Sequence, residues 1–204
     1  MADRFFDKVY GVSTPEETRA LYDRYSAQYD AEVAAQGYAT PARVARALAE
    51  VSDDRSAPVL DFGCGTGLSG LALAAEGFTV IDGMDLAADM LAQCRRRGLY
   101  RELTHIEADT DLGARRGAWS AIIACGVIGS GAAPVTVLDR LIDALGPGGL
   151  FAFSFNDHTL EDPAFEGALA RAIDTGRVRE RLSEYGPHLP GLNLNSVVHV
   201  VERL

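Results

Sequence analysis

Val59-Leu60-Asp61-Phe62-Gly63-Cys64-Gly65-Thr66-Gly67 is a short apolar run that passes straight into a glycine-rich turn. The run suits a buried strand, and Leu68 to Glu76 then reads as a helix stopped by Gly77. Glycines at 63, 65 and 67 let the backbone turn tightly and lie against a ligand with no Cβ in the way. The helix behind the turn offers free N–H groups and a positive dipole end. Gly65, Gly67 and Gly70 also satisfy G-x-G-x-x-G, so the turn alone leaves a dinucleotide open.

The same rhythm continues towards the C-terminus. Phe78 to Ile81 reads as a second strand, and Ala87 to Arg97 as a helix closed by Gly98. Leu103 to Glu107 reads as a third strand and Ala118 to Cys125 as a fourth. Val135, Leu138, Leu141, Ile142 and Leu145 mark a helix, and the turn Gly146-Pro147-Gly148-Gly149 leads to a fifth strand, Leu150 to Phe155. Asp162-Pro163 opens a helix carrying Phe165, Leu169 and Ile173. Such alternation implies βαβ units and a parallel sheet covered on both faces. The tail breaks the pattern. Ser196 to Val201 is a strand and Val178 to Tyr185 is ambiguous; the gap leaves no room for a crossover helix, so two strands there would pair antiparallel.

Ahead of the sheet, Thr14-Pro15-Glu16-Glu17 is a capping box, followed by Leu21, Tyr22, Tyr25 and Tyr29 at helical spacing. Thr40-Pro41 opens a second helix by the same device, with Val44, Leu48 and Val51 on one face. The expected architecture is α/β: a doubly wound, seven-stranded, mostly parallel sheet with a C-terminal antiparallel hairpin and an N-terminal helical cap. The cap would span residues 1–57 and the core 58–204.

Acidic residues at the strand ends narrow the ligand. A carboxylate at Asp61 would repel a pyrophosphate but suits an ammonium group. S-adenosylmethionine carries that ammonium, a sulfonium and no phosphate; a side chain that only binds loop amides is the alternative. Asp85, in Gly83-Met84-Asp85-Leu86, lies roughly twenty residues beyond the turn, where an acid accepts from ribose hydroxyls. Nicotinamide and methyl-donor cofactors share that need. Asp109, in Ala108-Asp109-Thr110, is placed to accept from an adenine amino group, and Met90 packs either on the adenine face or in the core.

Val59 to Gly67 resembles motif I of class I S-adenosylmethionine-dependent methyltransferases, and Gly83 to Met90 resembles their second motif. Ala121 to Gly126 is similar to the fourth-strand motif, and Leu145 to Gly149 to the turn before the fifth strand. Tyr22 to Asp30, with Arg97-Gly98-Leu99-Tyr100, resembles the methyltransferase-like proteins of the Williams–Beuren region type. The resemblance implies a Rossmann-like fold, S-adenosyl-L-methionine as cofactor and the following site. Gly63, Cys64, Gly65, Thr66 and Gly67 would line the methionine part, with Asp61 near its amino group. Asp85 and Leu86 would hold the ribose, and Asp109, Thr110 and Met90 the adenine. Cys125, Gly126 and Val127 would lie beneath the sulfonium, with Tyr29 and Tyr22 closing over the cofactor. The fourth-strand motif lacks the Asn/Asp-Pro-Pro-Tyr signature of amino-group methylation on adenine and glutamine, which argues against that substrate class.

The chain has 204 residues, 19 Lys plus Arg against 29 Asp plus Glu, and 48% hydrophobic residues, an ordinary globular composition. A formal charge of −10 argues against binding by phosphate neutralisation, so no nucleic-acid partner is expected. No apolar stretch approaches the ~18 residues of a membrane span, and no signal peptide is visible. Cys64, Cys94 and Cys125 form no CxxC pair, which points to a reduced, cytoplasmic protein. No metal-ligand spacing appears. Methyl transfer needs a general base only if the nucleophile must lose a proton, and His158 and His188 are the candidates. His105 and His199 fall inside strands and read as structural; Tyr25, Tyr38 and Asn156 are candidate substrate contacts. Arg95-Arg96-Arg97 reads as a solvated helix end. The expected function is methyl transfer to a small molecule. The rivals are an NAD(P)-dependent oxidoreductase using Gly65, Gly67 and Gly70, and a non-catalytic S-adenosylmethionine-binding protein.

Overall fold

The computed structural model describes residues 8, 11, 12, 14–129 and 131–204. The strands are β1 (Val59–Phe62), β2 (Ile81–Asp85), β3 (Glu102–His105), β4 (Ala121–Ala124), β5 (Leu150–Asn156), β6 (Val178–Leu189) and β7 (Leu194–Arg203). They form one seven-stranded sheet in the order β3-β2-β1-β4-β5-β7-β6. β1 to β5 run parallel, while β7 is antiparallel to both β5 and β6. The strand order reverses between β1 and β4, and in open sheets of this kind ligands bind outside the carboxyl ends at such a point.

The helices are α1 (Pro15–Ala35), α2 (Thr40–Val51), α3 (Leu68–Ala75), α4 (Ala88–Arg96), α5 (Thr136–Ala144), α6 (Asp157–Leu160) and α7 (Pro163–Asp174). Every residue of β1 and β4 is buried, as expected of strands covered on both faces. On one face Leu60, Ile122, Phe151 and Phe153 pack with Leu138 and Leu141 of α5 and Phe165 of α7. On the other, Val59, Ile81, Ile123 and Ala152 pack with Val44 and Leu48 of α2 and Leu73 of α3. Burying each such side chain contributes ~1.5–3 kcal/mol.

The two N-terminal helices are therefore held differently. α2 shares an apolar layer with α3 and the sheet, whereas Leu21 and Tyr25 of α1 form a small cluster with Val12, Tyr22 and Tyr29. The capping box of α1 is present: Thr14 Oγ1 accepts from Glu17 N, and Glu17 Oε2 accepts from Thr14 N, both at 3.2 Å.

Some expectations are corrected. The second strand is Ile81–Asp85, not Phe78 to Ile81, because Val59 pairs with Ile81 and Phe78 is a buried plug ahead of the strand. β3 ends at His105, so Asp109 lies beyond the strand end rather than at it. Thr40 is not the cap of α2; Ala39 is, and the buried Thr40 hydroxyl bonds His188 Nδ1 at 2.7 Å. The ambiguous segment after Val178 is a strand, and its hairpin closes through a 3₁₀ turn, Pro190–Leu192. Among the described residues, no helix is long and apolar enough to cross a membrane.

Candidate functional site

The turn after β1 carries Gly63, Gly65 and Gly67 at φ values of 72°, 53° and 92°. Left-handed backbone of this kind favours glycine. Gly63 is required twice over, since a Cβ there would stand 2.4 Å from Val127 Cγ2. The Gly63 and Cys64 amides donate to the Met84 carbonyl at 2.7 and 3.1 Å, tying the turn to β2. Asp85, at the end of β2, ties it again: Oδ2 accepts from Gly65 N at 2.7 Å and Oδ1 from Ala87 N at 2.8 Å. Burial raises the Asp85 carboxyl above its ordinary range, against the lowering effect of those amides.

Asp61 is fully buried behind the turn. Its Oδ2 accepts from Ser69 Oγ at 2.6 Å and Tyr100 Oη at 2.7 Å, while Oδ1 has no partner. Burial pushes this carboxyl up to about 6, because two neutral hydroxyls compensate it incompletely. A buried carboxylate oxygen without a donor is costly unless a cation arrives.

A cleft opens at the carboxyl ends of β1, β2 and β4 and encloses roughly 1090 Å³, part of it open to solvent. Gly63, Cys64, Gly65 and Thr66 line its floor. Asp85, Leu86, Met90, Ile106, Glu107 and Ala108 come from the β2 and β3 side, and Cys125, Gly126, Val127, Ala133 and Val137 from the β4 side. Thr18, Arg19, Tyr22 and Tyr29 of α1 close over it, together with Tyr38 and Pro41. The Tyr22 and Tyr29 rings lie 5.9 Å apart. The Tyr38 hydroxyl is 3.7 Å from Cys125 Sγ and 2.7 Å from where a Cβ of Gly126 would stand. Burial raises both Tyr29 and Tyr38 well above the usual phenol range and pushes the Cys125 thiol up to about 12.

Most of the residues read from the sequence thus converge. Tyr22, Tyr29, Gly63, Cys64, Gly65, Thr66, Asp85, Leu86, Met90, Cys125, Gly126 and Val127 all line the cleft. Gly67 and Asp61 stand behind it, through the turn and through Ser69. Asp109 and Thr110 are not in this lining; Glu107 is the acid of that segment that is, while Asp109 lines an adjoining pocket that shares Leu86, Glu107 and Ala108 with the cleft. The reason is local: after β3 the chain turns, and Thr110 Oγ1 accepts from Glu107 N at 2.9 Å, folding that segment on itself.

Neither histidine proposed as a base lines the cleft. His188 is buried with Nδ1 on the Thr40 hydroxyl, and burial pushes its imidazole down to about 4. His158 sits on α6, 3.8 Å from Glu161. Tyr25 is buried in the α1 cluster, and Asn156 caps α6 by accepting from Thr159 N at 2.9 Å. His199 stacks on Phe153, and the exposed His105 bonds the Leu86 carbonyl. Arg19, Glu107, Tyr100 and the Ala133–Val137 side of the cleft lie outside the residues expected from the sequence, and Tyr38 is among them only as a substrate contact. Of these, only Tyr100 had a local signal, in Arg97-Gly98-Leu99-Tyr100.

The residues fit S-adenosyl-L-methionine. The unpartnered Asp61 oxygen suits an ammonium, Asp85 suits ribose hydroxyls, and Leu86, Met90, Ile106, Val127 and Val137 offer apolar surface for a flat base. The dinucleotide reading loses its third glycine: a Cβ at Gly70 would stand 2.2 Å from Tyr100 Oη, so Gly70 makes way for the phenol that reaches Asp61.

Comparison with known proteins agrees. Residues 29–192 match the model of a methyltransferase domain family. The chain is 31% identical over 168 residues to human methyltransferase-like protein 27, covering 81% of this chain and 68% of that protein. A TehB-like S-adenosylmethionine-dependent methyltransferase from Corynebacterium glutamicum superposes with a TM-score of 0.63 at 20% identity, covering 89% of this chain and 98% of the other. The [4+2]-cyclase SpnF superposes with a TM-score of 0.58 at 16% identity, covering 79% and 80%, which illustrates that the fold alone does not dictate the reaction. The family match and the human relative do: the chain belongs to the class I S-adenosylmethionine-dependent methyltransferases.

Proposed function

We propose that this methyltransferase acts on a small-molecule acceptor held beneath α1, between Tyr38 and the end of β4. The observation that carries the reading is the roof. Thr18, Arg19, Tyr22 and Tyr29 lie over the cleft that the glycine turn floors, so an acceptor has to fit under a helix. A helix lying across the cleft suits an acceptor of modest size and stands in the way of a macromolecule. The acidic charge of −10 further disfavours a nucleic-acid acceptor.

When bound, S-adenosyl-L-methionine supplies a methyl group already activated by its sulfonium. The chain's own work is alignment and exclusion of water. In this reading Asp61 and the glycine turn hold the amino-acid end. Asp85 takes the ribose on the lone pairs left after it accepts two amides. Leu86, Ile106 and Val127 would hold the adenine, with Glu107 rather than Asp109 as the nearby acid. Cys125 stays protonated beside the reacting centre, so it does not compete with the acceptor as a nucleophile. His188 and His158 have no part in the transfer. A cytoplasmic location belongs to the same proposal, supported by Cys64, Cys94 and Cys125 standing free of disulfides.

Incubation with methyl-labelled S-adenosylmethionine and separated cell fractions tests the acceptor class. Label in the small-molecule fraction supports the reading. Label confined to protein or nucleic acid overturns it, and no label anywhere favours a cofactor-binding protein without catalysis.

A further inference from the structure

Arg97 and Tyr100 are absent from the described cleft lining, yet both reach the cofactor turn from behind. Arg97 Nε donates to the Thr66 carbonyl at 2.5 Å, and its guanidinium also pairs with Asp30 of α1. The second Asp30 oxygen accepts from Thr66 Oγ1 at 2.5 Å. Asp30 of α1 and Arg97 at the end of α4 therefore close a ring on Thr66, holding its hydroxyl and its carbonyl at once. Thr66 needs such holding, because Gly65 and Gly67 on either side are the residues that cost most to order. Gly67 also permits it, since a Cβ there would come within 3.0 Å of Arg97 Cδ.

Asp30 adjoins Tyr29, which roofs the cleft, so a single carboxylate couples the roof to the floor. Two further polar ties of α1 to the core are more peripheral. Arg19 meets Glu107 at 3.5 Å with both side chains exposed, and Asp23 accepts from Asp89 N at 3.0 Å on the surface. Arg97 is less open, at 22% side-chain exposure against 41% for Arg19, its pair with Asp30 is shorter than the Arg19–Glu107 pair, and charge-assisted bonds of this kind are the stronger ones.

We infer that Asp30 and Arg97 are positioning residues: they lock α1 onto the cofactor turn through Thr66, and the opening of this lock sets the rate of cofactor release. The inference rests on the cleft being the cofactor site. Stopped-flow displacement of S-adenosylhomocysteine from the full chain reads it. Asp30→Asn, which keeps the shape and removes the charge, should speed dissociation about tenfold with association nearly unchanged. Asp30→Asn combined with Arg97→Ala should be no faster than Arg97→Ala alone, since the two act as one unit. Hydrogen exchange of the ligand-free protein should quicken in α1 and not in α2.

Arg177→Ala is the control. It removes a comparably exposed ion pair with Asp139 and Asp143 outside the cleft lining, and should move stability without moving the dissociation rate. Unchanged dissociation and unchanged α1 exchange in Asp30→Asn would overturn the lock. Failure of the unmutated chain to bind S-adenosylhomocysteine would overturn the site reading instead, and the α1 exchange would still decide whether the lock exists.

Discussion

Asp61 and Asp82 sit on adjacent strands of one sheet, at 0% and 1% exposure, and yet they have opposite electrostatic fates. Asp82 accepts from Arg101 Nε at 2.8 Å, from Arg101 Nη2 at 2.5 Å and from Trp119 Nε1 at 2.8 Å. Burial pushes its carboxyl up, but those donors together outweigh burial and hold it below the ordinary range. Asp61 meets only hydroxyls, keeps one oxygen unpartnered and rises to about 6. Burial by itself therefore marks neither acid as functional. The missing cation does: Asp82 is complete within the fold, and Asp61 is complete only with a ligand that brings positive charge.

The largest effect expected from this contrast is on stability at Asp82. Arg101→Ala strips the cation from a buried carboxylate and should lower stability more than any other substitution considered for this contrast, although less than loss of a fully buried pair because the Arg101 side chain is 52% exposed. Urea unfolding measures it. The affinity of the folded protein for S-adenosylhomocysteine should stay within about twofold. A loss of affinity without a loss of stability would reverse the roles of the two acids.

Asp61→Asn should do the opposite. Cofactor affinity falls roughly 30-fold, the worth of a hydrogen-bonded charge, while stability at neutral pH holds or rises. Calorimetric titration beside thermal unfolding separates the two. Lower stability with intact binding would place Asp61 with Asp82 as a structural acid.

pH sharpens the contrast, because the signs differ. Asp61 moves from 3.8 in the unfolded chain to about 6 in the fold, so the folded state holds a proton that the unfolded state has released. Its contribution to stability therefore declines as pH rises from about 4 to about 6, by up to ~1.4 kcal/mol per unit. Asp82, held low, contributes stability above the unfolded value that disappears as pH falls through its folded one. Asp61→Asn should flatten the first limb of the stability–pH curve and Asp82→Asn the second. A cofactor ammonium pairs with ionised Asp61, so affinity should climb with pH to about 6 and then level off.

The pattern of acids also shows what a sequence can and cannot reveal. β1, its glycine turn, Asp61 and Asp85 are legible because they are contiguous: an apolar run, glycines and an acid at a fixed spacing. β2 lies later than the sequence pattern suggests because Asp82 and Gly83 look unlike a buried strand. They become one only through Arg101 and Trp119, which bond Asp82, and Leu103, which lies 2.6 Å from where a Cβ of Gly83 would stand. The same limit applies to His188. Its strand reaches the correct end of the sheet, but its ring turns to Thr40 on α2, a partner 148 positions away. In the sequence Arg97 reads as one of three solvated arginines at a helix end, and its contact with Thr66 exists only once α4 is folded over the turn.

The smallest effect separates two acids only two positions apart, Glu107 and Asp109. A carboxylate close to the adenine end was expected at Asp109, on the premise that the third strand runs to Glu107. β3 stops at His105, the chain folds back through the Thr110 hydroxyl, and Glu107 becomes the acid of this segment in the cleft lining. Glu107→Ala should weaken cofactor binding a few-fold, the worth of one partly exposed hydrogen bond at about 0.5–1 kcal/mol. Asp109→Ala should leave affinity within about twofold and stability within ~0.5 kcal/mol, as for a surface position. Since Glu107 also meets Arg19 of α1, Arg19→Ala controls for loosening of the roof: if it alone reproduces the Glu107→Ala effect, Glu107 acts through the helix and not on the ligand. A larger loss at Asp109 than at Glu107 would mean that the segment after β3 rearranges when the cofactor binds.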